Sequence, residues 1–226
     1  MRKFAVIFSA VLLLSGLAGA AHAYTINYDY INVANQYTTP YSATVEDFDG
    51  ALVWTWTGSG DVVSGSVGGQ YSAPGGVDGI NKDSTYYVTV PQPYDSDHSG
   101  SYMPTGMPAG PGPGGTYNYF GLWWGSVDTY NTLSFYNGAT LVASITGSGA
   151  ITPSAANGNQ TAPSTNLYIN FLDLPNFDSF KMTSTQFAFE ADNIAIGYNP
   201  SRVPEPTTLL LLGLGLIGLA GVRRKS

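Results

Sequence analysis

Apolar and polar residues alternate in short runs along most of this chain, and β-branched or aromatic residues recur within them. No stretch in the middle of the chain holds a 3.6-residue period. Period-two alternation over four to eight residues is the mark of a half-buried strand. It predicts strands at 26–33, 51–57, 61–67, 86–90, 117–124, 132–136, 140–146, 167–172, 179–184 and 186–196. Asn137-Gly138 lies between two of these runs, and its tolerance of positive φ predicts a type I′ hairpin turn. Many short strands and no convincing helix predict an all-β fold, an antiparallel β-sandwich of jelly-roll-like form. Residues 91–115, dense in proline and glycine, read as one long loop, and 148–165 as a second.

The two ends break this pattern. Arg2 and Lys3 precede an apolar run over 4–14, and Ala21-His22-Ala23 closes the segment with small residues. These are the parts of a secretory signal peptide, with signal peptidase expected to cut between Ala23 and Tyr24. At the other end, Val203-Pro204-Glu205-Pro206 runs into an apolar stretch that ends in Arg223, Arg224 and Lys225. The prolines fix φ and remove two N–H donors, so the element cannot continue a strand or helix. Residues 207–222 would form a helix of about 24 Å at 1.5 Å per residue, short for a ~30 Å hydrocarbon core but within reach of local thinning. The basic cluster would stay cytoplasmic and orient the span. The match of Gly213-Leu-Gly215-Leu-Ile-Gly218 to a dinucleotide fingerprint fails on context, since no strand precedes it and no βαβ unit follows.

That C-terminal order resembles the PEP-CTERM sorting signal. The resemblance implies recognition of Val203, Pro204, Glu205 and Pro206 by a membrane protease, an exosortase, with cleavage close by. The chain then divides into a signal peptide (1–23), an extracellular domain (24–202) and a sorting segment with its transmembrane helix (203–226). Two further stretches, Tyr119-Phe-Gly-Leu-Trp-Trp-Gly-Ser-Val-Asp128 and Phe187-Ala-Phe-Glu-Ala-Asp-Asn-Ile194, are similar to segments recurrent in PEP-CTERM surface proteins. The second is also similar to the closing strand of galactose-binding-like jelly rolls.

Charge narrows the partners. Between the two ends stand fourteen carboxylates against Lys82, Lys181 and Arg202, a formal charge of −11. Such a domain repels phosphate backbones, so nucleic acid is excluded as a partner. The chain has no cysteine, which removes thiol nucleophiles and cysteine-ligated metal. A domain of this length can bury enough surface to fold without either.

Candidate chemistry is sparse. His22 departs with the signal peptide, leaving His98 alone, and no G-x-S-x-G elbow is present, so a Ser-His-Asp triad has little material. Asp47/Asp49, Asp95/Asp97 and Glu190/Asp192 are carboxylate pairs. Glycoside hydrolysis needs two carboxyls facing across a cleft, which neighbours in sequence do not establish. Calcium suits the same oxygens better, with Asp47 and Asp49 the leading candidates. Trp54 and Trp56 share a strand face, whereas Trp123 and Trp124 must point to opposite faces. One of the latter pair is therefore expected to face outward or lie under a loop; an outward ring with Asn or Asp nearby would suit glycan contact, with packing in the core the alternative. The expected function is that of a non-enzymatic exported surface or matrix protein, sorted by an exosortase and associated with exopolysaccharide in a biofilm. A carbohydrate-binding module is the alternative, with a secreted glycoside hydrolase behind it.

Overall fold

A computed structural model describes residues 23–29, 31 and 37–200. The signal-peptide core, the sorting element Val203 to Pro206, the predicted membrane segment and the basic cluster Arg223, Arg224 and Lys225 lie outside the described residues. Among the described residues no helix is long and apolar enough to cross a membrane.

Twelve strands are formed among these residues: β1 (Thr25–Asp29), β2 (Thr44–Glu46), β3 (Thr55–Gly58), β4 (Asp61–Ser64), β5 (Tyr86–Val90), β6 (Gly100–Thr105), β7 (Tyr119–Gly125), β8 (Asn131–Asn137), β9 (Thr140–Thr146), β10 (Leu167–Leu172), β11 (Ser179–Ser184) and β12 (Phe189–Gly197), with one four-residue helix, α1 (Gly147–Ala150), after β9. All pairings are antiparallel. One sheet runs β1-β10-β7-β12-β5-β4, with β2 also on β12; the other runs β3-β6-β11-β8-β9. The all-β, antiparallel expectation holds.

The sheets meet face to face over aromatic residues. Phe120 of the first sheet lies 5.1 Å from Phe135 and 4.7 Å from Phe180 of the second, centroid to centroid, in edge-on geometry. Edge-to-face pairs of this kind add to what burial alone gives. The edge strands β1, β3, β4 and β9 keep one or both faces exposed. By contrast, β7 and β12 are buried along their whole length. Their inner face packs on the second sheet, and their outer face is covered by loop residues, because Val77 donates its N–H to Ile31 O, Trp123 Nε1 donates to Gly75 O, and Tyr37 stacks on Tyr168 at 4.3 Å.

A bulge in β12 sets which side chains go where. Asp192 pairs with Trp123 and Ala195 with Gly121, so one strand advances three residues while its partner advances two. Asn193 takes φ +51° at this point. Phe189, Ala191, Ile194 and Ile196 all join the core, although 191 and 194 differ in parity. Without the extra residue, the two isoleucines would share the outer face with Glu190 and Asp192.

Two strands escaped the pattern. β6 lies inside the expected 91–115 loop and carries both Gly100 and Pro104; it is held by β11 on one side and β3 on the other, with Pro104 opposite Trp56. β2 has only three residues and takes its place from β12. The 137–138 turn also shifts by one. Asn137 pairs with Thr140, leaving Gly138 and Ala139 at the tip, and only Gly138 has positive φ. A type I′ turn needs positive φ at both central positions, so that expectation is corrected.

Candidate functional site

Register places Glu190 on the outer face of the first sheet, opposite Gly125 on β7 and in line with Thr89 on β5. Its carboxyl is fully enclosed. Oε1 accepts the backbone N–H of Ser72 at 2.8 Å, and Oε2 accepts the Ser126 hydroxyl at 2.9 Å. Gly125 lets the covering loop approach this closely, since a Cβ there would meet Pro74 Cα at 2.9 Å. Asn166 Oδ1 joins the same two segments by accepting from Gly75 N and Ser126 N, each at 2.9 Å. Burial pushes the Glu190 carboxyl up to about 8, against the two hydrogen bonds that favour its charged form.

Beyond Glu190 the covering loop and the β7–β8 turn part to leave a polar cleft of about 120 Å³. Gln70, Tyr71, Asp128, Tyr130, Gln160 and Phe187 line it above Glu190. Tyr130 donates its hydroxyl to Phe187 O at 2.8 Å, fixing one wall. Gly158 fixes another: at φ +67° it rests on Asp128, and a Cβ there would stand 2.4 Å from Oδ2. Burial raises the Asp128 carboxyl, and burial with the adjacent Asp128 raises the Tyr130 hydroxyl.

A second group of acids lies further along the same face. Asp192 Oδ1 accepts Asn193 N at 2.6 Å, and its Oδ2 accepts the Asn193 side-chain amide. Asp83 Oδ1 accepts the Thr85 N–H and hydroxyl at 3.0 and 2.6 Å. Oδ2 of Asp83 is buried without a hydrogen-bond partner. Burial is the main cause that raises both carboxyls, with the charge of Asp83 next for Asp192 and that of Asp49 adding to both. Among the described residues, no group of three or more His, Cys, Asp or Glu side chains could hold a metal ion.

At the C-terminal end, the described chain stops at residue 200, three residues after β12. Residues 202–225 match the PEP-CTERM protein-sorting motif. The chain carries an exosortase sorting signal. A PEP-CTERM motif implies export, a membrane-anchored precursor, processing by an exosortase and a place at the surface. No curated protein and no solved structure matches the chain.

The β-domain treats the remaining candidates unevenly. Trp123 and Trp124 do point to opposite faces, yet both are fully buried. Trp124 stacks on Phe189 in the core at 4.3 Å, and Trp123 lies beneath Gly75 with Ile31 and Tyr168. Neither presents a ring to solvent, so the glycan platform expected there is corrected: loop residues that carry no periodic signal cover the outer face. Asp47 Oδ1 accepts Asp49 N at 3.2 Å within a turn, and Asp49 Oδ1 accepts Tyr86 N, at the start of β5, at 2.8 Å. Asp95 likewise accepts Asp97 N at 2.9 Å and the Ser59 hydroxyl at 2.8 Å. His98 is exposed, its ring 4.7 Å from Phe187. Ala23 is exposed immediately before β1, whereas Tyr24 already packs on the core. The cleft residues Gln70, Tyr71, Tyr130 and Gln160 went unnoticed. Only the nearness of Asp128 and Tyr130 to the Trp-Trp-Gly-Ser stretch hinted at them.

Proposed function

We propose that this chain is a non-enzymatic surface or extracellular-matrix protein, released from its membrane-held precursor by an exosortase and associated with exopolysaccharide in a biofilm. The PEP-CTERM motif immediately after a closed β-domain carries this reading. The placement of the chain ends supports it. Thr25 pairs with Leu172, the neighbouring Phe171 pairs with Phe120, and Phe120 pairs with Ile196. The start of β1 and the end of β12 therefore lie at the same end of the first sheet's strands. The domain is read as jelly-roll-like because the chain passes between the two sheets at nearly every step from β5 onward.

A non-enzymatic role is favoured over a glycoside hydrolase because both Glu190 oxygens are engaged within the fold. An acid committed to Ser72 and Ser126 is poorly placed to protonate a leaving group. Fractionation tests the main reading: the processed protein should be recovered with the extracellular matrix, and recovery only in the inner membrane would overturn it.

A further inference from the structure

We propose that the cleft above Glu190 binds a neutral sugar residue at the end or branch of a matrix polysaccharide, an inference that rests on the matrix association above. Chemistry and shape point this way. β12 runs from Glu190 beneath the cleft to Gly197, while its partner β7 advances six residues over the same span, from Gly125 to Tyr119. At ~3.3 Å per strand residue, this puts the cleft about 20 Å from the end of β12.

The lining is that of a hydroxyl-binding site. Gln160 brings an amide that both donates and accepts, Gln70 an amide whose Oε1 already accepts Tyr94 N at 2.7 Å, Tyr71 and Tyr130 bring phenols, and Asp128 brings a carboxylate. No Lys, Arg or His lines the cleft among the described residues. With two carboxyls and no cation, it disfavours uronic-acid, sulfated or phosphorylated units, whose charge would be buried unpaired. A volume of about 120 Å³ lies below the ~300–1,000 Å³ usual for ligand pockets, which limits the cleft to a single ring. The walls are held before any ligand arrives, by Glu190 to Ser72 and Ser126 and by Tyr130 to Phe187. Little ordering cost then falls on binding.

The test uses the full chain in detergent, titrated calorimetrically with neutral gluco-, galacto- and manno-oligosaccharides and, separately, with oligosaccharides of uronic acids. Saturable binding of a neutral sugar and none of the uronates is expected. Gln160→Ala and Asp128→Asn should each weaken it at least tenfold without lowering the melting temperature; Gln160 is exposed, so that variant remains informative even if Asp128→Asn unfolds. Failure of every neutral sugar to bind, or equal binding by Gln160→Ala, would overturn the proposal. The two readings separate in fractionation. Matrix recovery of a Gln160→Ala protein at wild-type level, with no sugar bound by either, sinks the cleft and leaves the matrix role standing. Sugar binding by a protein never found in the matrix does the reverse.

Discussion

The Ser126 hydroxyl donates to Glu190 Oε2 at 2.9 Å across 64 residues of sequence, joining the exit of β7 to β12 beneath the cleft. The acid that closes this contact is held protonated by burial, its pKa raised to about 8 from an ordinary 4.5.

A raised carboxyl binds its proton more tightly in the folded than in the unfolded chain. Stability from such a group is full below the unfolded value and is lost as pH climbs toward the folded one. Asp83 and Asp192 are raised in the same sense, whereas exposed Asp78 and Asp95 are lowered and act oppositely, only in acid. The melting temperature should therefore fall between pH 5 and pH 8, each buried acid contributing at most ~1.4 kcal/mol per pH unit. Glu190→Gln, which keeps the shape and can serve both partners, should flatten the dependence and melt higher than wild type at pH 8. A profile that rises over this range would contradict the assignment.

Both tryptophans of the Trp-Trp pair should behave as core. Trp124→Ala removes the stack on Phe189, and Trp123→Ala empties the space under Gly75. Each should cost about 3–5 kcal/mol in denaturant titration, as for other buried tryptophans. A loss below ~1 kcal/mol at either position would show a ring less enclosed than the fold indicates.

The extra residue in β12 makes a sharper demand. Deleting Asn193 turns Ile194 and Ile196 toward the outer face and should abolish cooperative unfolding and near-ultraviolet circular dichroism. Asn193→Gly accepts the positive φ and should keep the domain folded. Equal tolerance of both changes would mean the register can slip.

Sorting should depend on Pro-Glu-Pro alone. Glu205→Ala, or replacement of Pro204 and Pro206, is expected to leave a membrane-bound precursor of unprocessed mass. Normal processing in these variants, judged by mass spectrometry of cell fractions, would remove Val203 to Pro206 from the recognition element.

Calcium offers a last discrimination. Asp47 and Asp49 are engaged as hydrogen-bond acceptors, so millimolar calcium should leave melting unchanged. A rise in melting temperature that disappears in Asp47→Asn or Asp49→Asn would instead place a cation at that pair.

Local chemistry determined much of this protein. The runs over 86–90, 140–146, 167–172 and 179–184 marked β5, β9, β10 and β11 at their observed bounds, because β-branched and aromatic residues crowd into strands and, in β11, a half-buried strand writes its two faces into successive residues. The sorting signal was equally legible, being a contiguous address read as an extended segment. Parity alone sent Trp123 and Trp124 to opposite faces. Whether either face meets water was decided by tertiary structure, since the cover over Trp123 comes from loop residues without any period. The same holds for β6, which is a strand only because β3 and β11 flank it. It holds above all for the cleft, where Gln70, Asp128, Gln160 and Glu190 meet from four separate stretches of chain. Such convergence depends on which strands pair and in which register, a choice made by burial of the whole core and recorded in no single segment.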